Sequence, residues 1–141
     1  MCGIVGLFLK DDSLSAQLGG MLSDMLVTMT DRGPDSAGLA LYGPSQGTSF
    51  KVTVQSDDPA TSFSGLAEHL TQATATACSI EEKSTHAVIS TDASNGAGLV
   101  AHVRENHADL RIMSTGDRME IYKEVGLPRD VAARFNIQQM G

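Results

Sequence analysis

The chain has 141 residues, and its 17 acidic and 10 basic side chains give a formal net charge of −7. Hydrophobic residues make up 41% and charged residues 19%, which are ordinary globular proportions and exclude a wholly disordered chain. The acidic balance argues against nucleic-acid binding, which relies on a basic surface, and no apolar run reaches the roughly 20 residues that a membrane span needs.

Two elements are predicted at the start of the chain. The apolar run at 3–9 is short and partly β-branched, which favours a buried strand over a helix. Apolar residues then recur at steps of three and four from Leu14 to Met29, the spacing of one helix face. Gly19 and Gly20 weaken this helix by about 1 kcal/mol each relative to Ala. We therefore expect close packing of these glycines against a neighbouring backbone.

The remaining elements mix helices and strands without a regular βα repeat, which predicts an α+β fold. Predicted strands cover 36–42, 48–55, 86–91, 110–114 and 119–125, and predicted helices cover 62–77, 99–107 and 128–140. In the second strand, Phe50, Val52 and Val54 share one face because side chains alternate along a strand. Residues 115–118 form a predicted hairpin turn, and 81–84 a solvated connector.

The cysteines are Cys2 and Cys78, too few for a disulfide framework and without the histidine spacing of a zinc site. Cys78 is placed at the end of the predicted small-residue helix and is interpreted as a buried hydrophobe. His69, His86 and His107 show no ligand spacing and are interpreted as surface or structural residues. No secretory signal is visible. We therefore predict a cytoplasmic protein with reduced thiols and no metal or cofactor of its own.

Cys2 is the candidate catalytic residue. If the initiator Met1 is removed, Cys2 carries both a thiol and a free α-amine. The α-amine has a pKa of about 7.7–8.0, so it can accept the thiol proton and leave a nucleophilic thiolate. Gly3 lets other backbone or substrate approach closely. The alternative interpretation is that Cys2 is a small hydrophobic residue in an apolar segment.

Two short motifs carry a family resemblance. Cys-Gly-Ile-Val-Gly at 2–6 and Arg-Gly-Pro-Asp-Ser-Ala-Gly at 32–38 together resemble the class II glutamine amidotransferases, which are N-terminal-nucleophile hydrolases. With 22–33 and 119–128 included, the chain is similar to the amidotransferase-like subunit of N-methylglutamate synthase and to the amidotransferase domain of glutamate synthase. The resemblance implies a four-layer αββα sandwich, incomplete here, in which 48–125 is an inserted α+β region.

The resemblance also implies roles for named residues. Cys2 attacks the side-chain amide of glutamine, ammonia leaves, and water releases glutamate from the thioester. Arg32 lies beside the nucleophile, where a guanidinium favours a thiolate. Gly33 permits a tight turn, and Asp35 and Ser36 brace the loop with hydrogen bonds. The alternative for this segment is an ordinary helix-to-strand turn with a surface ion pair.

Other groups that the family uses are not found in the sequence. The family has an arginine for the glutamine α-carboxylate, an Asn-Gly pair for the oxyanion and an aspartate for the amino group. The nearest strings here, His102-Val103-Arg104 and Asn95-Gly96, are interpreted as a solvated helix and a plain turn. Residues 1–141 are therefore predicted to be the N-terminal part of a type 2 amidotransferase domain, with its substrate-binding residues unassigned.

The leading functional hypothesis is glutamine hydrolysis by Cys2, with the ammonia passed to partner subunits of a synthase. One alternative is a non-catalytic scaffold or regulatory subunit that kept the opening motifs. Another is a different N-terminal-nucleophile amide hydrolase. Neither a nucleic acid nor a membrane is an expected partner.

Overall fold

A computed structural model describes residues 3–45 and 47–140. The strands are β1 (Ser36–Tyr42), β2 (Ser49–Gln55), β3 (Cys78–Lys83), β4 (His86–Asp92), β5 (Arg111–Gly116) and β6 (Met119–Val125). The helices are α1 (Leu18–Thr28), α2 (Pro59–Ser62), α3 (Leu66–Thr74), α4 (Gly96–Asn106) and α5 (Pro128–Arg134), and 3-10 turns cover Asp12–Gln17, Thr30–Arg32, Ala93–Asn95 and Ile137–Gln139. The composition is α+β, and among the described residues no helix is long and apolar enough to cross a membrane.

The chain divides into two units, one formed by 1–39 and 123–141 and the other by 40–122. In the first unit, α1 packs against α5 and the last 3-10 turn. A Cβ at Gly19 would lie 2.0 Å from the Ile137 carbonyl oxygen and 2.4 Å from that of Met140. The predicted close backbone approach is therefore confirmed at Gly19. It is wrong at Gly20, where a Cβ would meet no described atom within 4 Å.

The predicted buried strand at 3–9 is absent from the structure. These residues have no regular secondary structure, and Ile4 and Phe8 are 94% and 84% exposed. Val5 and Leu7, on the alternate positions, are half-buried. A strand is stabilised by hydrogen bonds to a neighbour, and the sheets of the described chain contain no strand paired with this segment. An apolar alternating pattern without a pairing partner therefore stays irregular.

Strands β1 and β6 form a two-stranded sheet, and β1 has the predicted bounds. Two backbone hydrogen bonds flank this pair, from the Gly43 N–H to the Arg118 carbonyl at 2.8 Å and from the Gly126 N–H to the Asp35 carbonyl at 2.9 Å. From the first bond to the second, the residue number falls from 43 to 35 beside β1 and rises from 118 to 126 beside β6. The strands are therefore antiparallel.

The second unit contains an antiparallel sheet with the order β3-β4-β2-β5. Helices α3 and α4 supply apolar side chains to its core, which comprises Val52, Val54, Phe63, Leu66, Leu70, Ala87, Ile89, Leu99, Val103 and Leu110. Val52 and Val54 are fully buried and Phe50 packs at the edge of this core, so the predicted face of β2 is confirmed.

The predicted helix over 62–77 and the predicted connector over 81–84 are wrong in part. Helix α3 ends at Thr74, and Ala75 turns the chain with a φ of 54°. Residues 78–83 then form β3, an edge strand whose Ile80 pairs with Ile89 of β4. Cys78 is therefore half-buried at the start of a strand rather than buried in a helix.

The predicted hairpin over 115–118 does not form a paired hairpin. β5 pairs with β2, whereas β6 pairs with β1, so the chain changes sheets at this turn. The Ser114 hydroxyl donates to the Met119 carbonyl at 3.1 Å and accepts from the Ile121 N–H at 3.2 Å. A side chain thus satisfies two backbone groups that a hairpin ladder would have paired.

Candidate functional site

A cavity of about 230 Å³ lies within the first unit. Its wall contains all five residues predicted to support the nucleophile, namely Gly3, Arg32, Gly33, Asp35 and Ser36. The other lining residues, which the sequence prediction missed, are Leu26, Met29, Pro34, Ala37, Gly38 and Pro128. The structure therefore brings together two segments that the sequence separates by a helix.

The end of α1 positions the loop. The Arg32 N–H donates to the Met29 carbonyl at 3.0 Å and the Gly33 N–H donates to the Thr30 carbonyl at 3.2 Å, which continues the helix as one 3-10 turn. The Thr30 hydroxyl bonds the Val27 carbonyl at 2.6 Å. These bonds satisfy backbone groups that a helix end leaves unpaired. They hold residue 32 at a defined place on the cavity wall.

Gly3 lies directly against this loop. A Cβ at Gly3 would be 2.1 Å from the Met29 methyl and 3.5 Å from both Cβ and Cδ of Arg32. The approach is possible because residue 3 has no side chain, as expected from the sequence. The stem of Arg32 thus packs beside the residue that follows Cys2.

The Arg32 side chain is exposed, and it forms no ion pair with any carboxylate in the described ranges. The alternative reading of this segment as a turn with a surface ion pair is therefore not what the structure shows. A guanidinium at a cavity wall attracts anions and offers five N–H donors. Arg32 can thus act on an anionic group in the cavity.

The other predicted loop residues, Gly33, Asp35 and Ser36, differ in their backbone contacts. The Asp35 carbonyl accepts the Gly126 N–H at 2.9 Å, so the loop is braced there through its backbone, and Ser36 begins β1. Gly33 has a φ of −163°, an extended conformation open to any residue, and a Cβ there would lie 4.0 Å from the Ser36 carbonyl oxygen. The turn therefore does not require glycine at 33, contrary to the prediction.

Cys2 falls outside the residues that the structure describes. It is joined by a peptide bond to Gly3, a wall residue of the cavity. Cys78 belongs to the second unit, where its thiol bonds the Thr76 carbonyl at 3.5 Å.

Sequence comparison bears on this site. Over all 141 residues the chain is 55% identical to "Glutamine amidotransferase-like protein GlxB" of Rhizobium meliloti (strain 1021), and it spans 46% of that protein. Over 43 residues, 30% of this chain and 14% of the relative, it is 49% identical to a "Putative glutamine amidotransferase" of Methanothermobacter thermautotrophicus. The relatives are glutamine amidotransferase-like proteins. No protein-family model matches the chain.

The Asn-Gly pair of this chain has a structural explanation. The Asn95 amide donates to the hydroxyls of Thr74 and Thr91, at 3.1 and 3.3 Å. A Cβ at Gly96 would lie 2.5 Å from the Phe50 ring. The pair therefore joins a 3-10 turn to α4, rather than forming the plain turn that was predicted.

The His102-Val103-Arg104 string lies in α4, and Val103 at its centre is fully buried in the core of the second unit. His102 is half-buried, so the predicted solvated helix is amphipathic instead. His102 lies near His69 and His107, and their potential ligand atoms are within 4.8 Å of one another. The sequence interpretation of His69 and His107 as surface or structural residues missed this cluster because its members come from different elements.

A charged network occupies another part of the second unit. Lys51 Nζ lies 2.6 Å from Glu120, which also accepts the Tyr122 hydroxyl at 2.7 Å. Burial raises the pKa of Glu120, but the hydrogen bonds from Lys51 and Tyr122 outweigh it and the pKa falls below its usual value. Burial, and then the hydrogen bond to Glu120, raise the pKa of Tyr122 far above its usual range. The phenol thus stays protonated, as expected for a structural network.

Proposed function

We propose that the protein is a class II glutamine amidotransferase of the N-terminal-nucleophile type, with Cys2 as its nucleophile. The observation that carries the proposal is the gathering of Gly3 with residues 32–36 around one cavity. Whole-length identity of 55% to a protein named glutamine amidotransferase-like supports the same reaction class. Because the chain spans about half of that relative, the activity is proposed for the complete protein.

The proposed reaction has two halves. With Met1 removed, the α-amine of Cys2 accepts the thiol proton, and the thiolate attacks the side-chain carbonyl carbon of glutamine. The tetrahedral intermediate collapses to a thioester, and the protonated nitrogen leaves as ammonia. Water then attacks the thioester, which releases glutamate and restores the thiol. Arg32, packed against Gly3, favours the anionic form of a nearby thiol.

The proposal extends to partners and architecture. We propose that the ammonia passes to synthase subunits that resemble those of N-methylglutamate or glutamate synthase, in the cytoplasm, where thiols stay reduced. An αββα sandwich is proposed for the fold, with 48–125 as an insertion. Asn95 is not proposed as an oxyanion donor, because its amide donates to the hydroxyls of Thr74 and Thr91.

Glutamine hydrolysis by the protein expressed from its complete gene tests the proposal. Cys2→Ala is expected to abolish glutamate release, whereas Cys78→Ala, the matched control in β3, is expected to retain it. Intact mass is expected to show loss of Met1 and single labelling at Cys2 by a glutamine-like diazoketone. Hydrolysis that persists in Cys2→Ala would refute the assignment. A folded protein without Met1 that neither hydrolyses glutamine nor reacts would establish the scaffold alternative instead.

A further inference from the structure

Three histidines of the second unit meet where α3 and α4 pack together. His69 lies on α3, His102 on α4, and His107 caps the C-terminal end of α4. Their ring centroids are 5.7 Å apart for 69 and 102, 5.3 Å for 69 and 107, and 5.8 Å for 102 and 107. Each ring offers a nitrogen to one shared space.

Two of these imidazoles have buried nitrogens without a partner. The Nε2 atoms of His102 and His107 are buried and make no hydrogen bond in the described part of the protein. A buried polar atom without a hydrogen-bond partner destabilises the fold. Burial, and then the neighbouring His69, lower the pKa of His107. A neutral imidazole with a free nitrogen is the form that binds a metal ion.

We infer that His69, His102 and His107 form a zinc-binding site, with one imidazole nitrogen from each residue as a ligand. Tetrahedral zinc with Zn–N bonds of about 2.0–2.1 Å holds its ligand nitrogens roughly 3.4 Å apart. The potential ligand atoms lie within 4.8 Å of one another, so they must draw in by at most about 1.4 Å. His69 is exposed and can rotate to make this change, and its exposed side gives the ion an entry path.

The surroundings of His102 suit this role. The Asn106 amide lies 3.3 Å from His102 Nδ1 and donates to the His102 carbonyl at 3.0 Å. When Nε2 binds zinc, Nδ1 carries the proton, and a half-turn of the Asn106 amide presents its oxygen to accept that proton. Such an outer hydrogen bond fixes the orientation of a metal-binding histidine. Asn106 is therefore a positioning residue for the proposed site.

The ligand chemistry selects the metal. Three imidazole nitrogens suit zinc and other late transition metals, whereas magnesium and calcium prefer oxygen ligands. Three histidines leave a fourth position for water or another ligand. The net charge of −7 favours binding of a cation in general. All three histidines belong to the unit at 40–122.

Isothermal titration calorimetry with zinc chloride, on untagged protein freed of metal by a chelator, tests the proposal. We expect one zinc ion per chain and no heat of binding from magnesium chloride. His69→Ala is expected to weaken zinc binding by more than about tenfold, a loss seen even when only outer partners are removed. Gln72→Ala, an exposed change on the same helix, is the matched control and is expected to bind as the wild type does.

Two further measurements separate the histidines from the cysteines. Cobalt(II) in place of zinc is expected to give the visible absorption of a four-coordinate site in the wild type and in Cys2→Ser, but not in His69→Ala. The Cε1–H proton and carbon resonances of the His102 and His107 imidazoles are expected to shift when zinc is added, which reports on buried ligands without a destabilising mutation. Absence of binding, or zinc binding that survives His69→Ala and is lost in Cys2→Ser, would overturn the proposal.

Discussion

Replacing Gly19 with Ala is expected to destabilise the first unit, whereas the same change at the adjacent Gly20 is expected to stabilise it. Both glycines lie in the first turn of α1. Ala is preferred over Gly in a helix by about 1 kcal/mol. A methyl group at Gly20 would meet no described atom within 4 Å, so that preference is realised there. We expect a gain of about 0.5–1 kcal/mol in the free energy of unfolding.

At Gly19 the new methyl group meets backbone. It would lie 2.0 Å from the Ile137 carbonyl oxygen, and ordinary contact begins at 3.4 Å, so that backbone must retreat by about 1.4 Å. Ile137 is fully buried, which leaves little freedom for the movement. Overpacking typically costs 1–3 kcal/mol. Because the atoms to be displaced are buried backbone, the cost lies at the upper end of that range, and subtracting the helix preference of about 1 kcal/mol leaves an expected net loss of about 2 kcal/mol.

Urea unfolding followed by circular dichroism measures both variants against the wild type. Amide hydrogen exchange at the last 3-10 turn shows whether the loss at Gly19 arises at the contact itself. Equal stability of the Gly19→Ala variant and the wild type would refute the close packing of α1 on this turn. So would a gain of the same size in both variants.

Three further changes test other parts of the structure. Leu70→Ala, which opens a cavity in the core of the second unit, is expected to cost about 2–5 kcal/mol in urea unfolding. Glu120→Gln is expected to cost about 1–3 kcal/mol at pH 7. The folded-state pKa of Glu120 lies below its usual 4.5, so the ionised carboxylate stabilises the fold fully above pH 4.5, and this stabilisation is lost as the pH falls through the folded-state pKa. Between pH 7 and 3 the Glu120→Gln variant should therefore lose less stability than the wild type. Parallel plots of unfolding free energy against pH for the two proteins would contradict this. Arg32→Gln is expected to slow alkylation of the nucleophilic cysteine about tenfold, equivalent to a rise of one unit in the thiol pKa. Arg104→Gln, an exposed change in the other unit, is the control and should leave the alkylation rate unchanged. Equal alkylation rates in the two variants would exclude an effect of Arg32 on the thiol.

The periodicity of apolar residues predicted the buried face of an element where that face depends only on the element's own sequence. The face of β2 with Val52 and Val54 is confirmed because alternation determines which side chains of a strand point inward. The sequence also identified residues that line the candidate cavity, since Arg32 and Gly3 were singled out by their residue types and order.

Features that depend on distant partners were not predictable from local sequence. The segment 3–9 has a strand pattern without a paired neighbour, and Cys78 begins a strand only because β4 lies beside it. The histidine cluster arises from the packing of α3 on α4, which brings His69 to His102. The spacing of residues within a single helix does not predict a contact between two helices.

The exposure of Ile4 and Phe8 has a consequence for how the protein behaves in solution. The net charge of −7 makes copies of the chain repel one another over roughly 10 Å at 0.1 M salt. The attraction between exposed apolar side chains acts at contact and is not screened by ions. Salt therefore removes the repulsion and leaves the attraction. We therefore expect copies of this chain to associate less in dilute buffer than at high ionic strength.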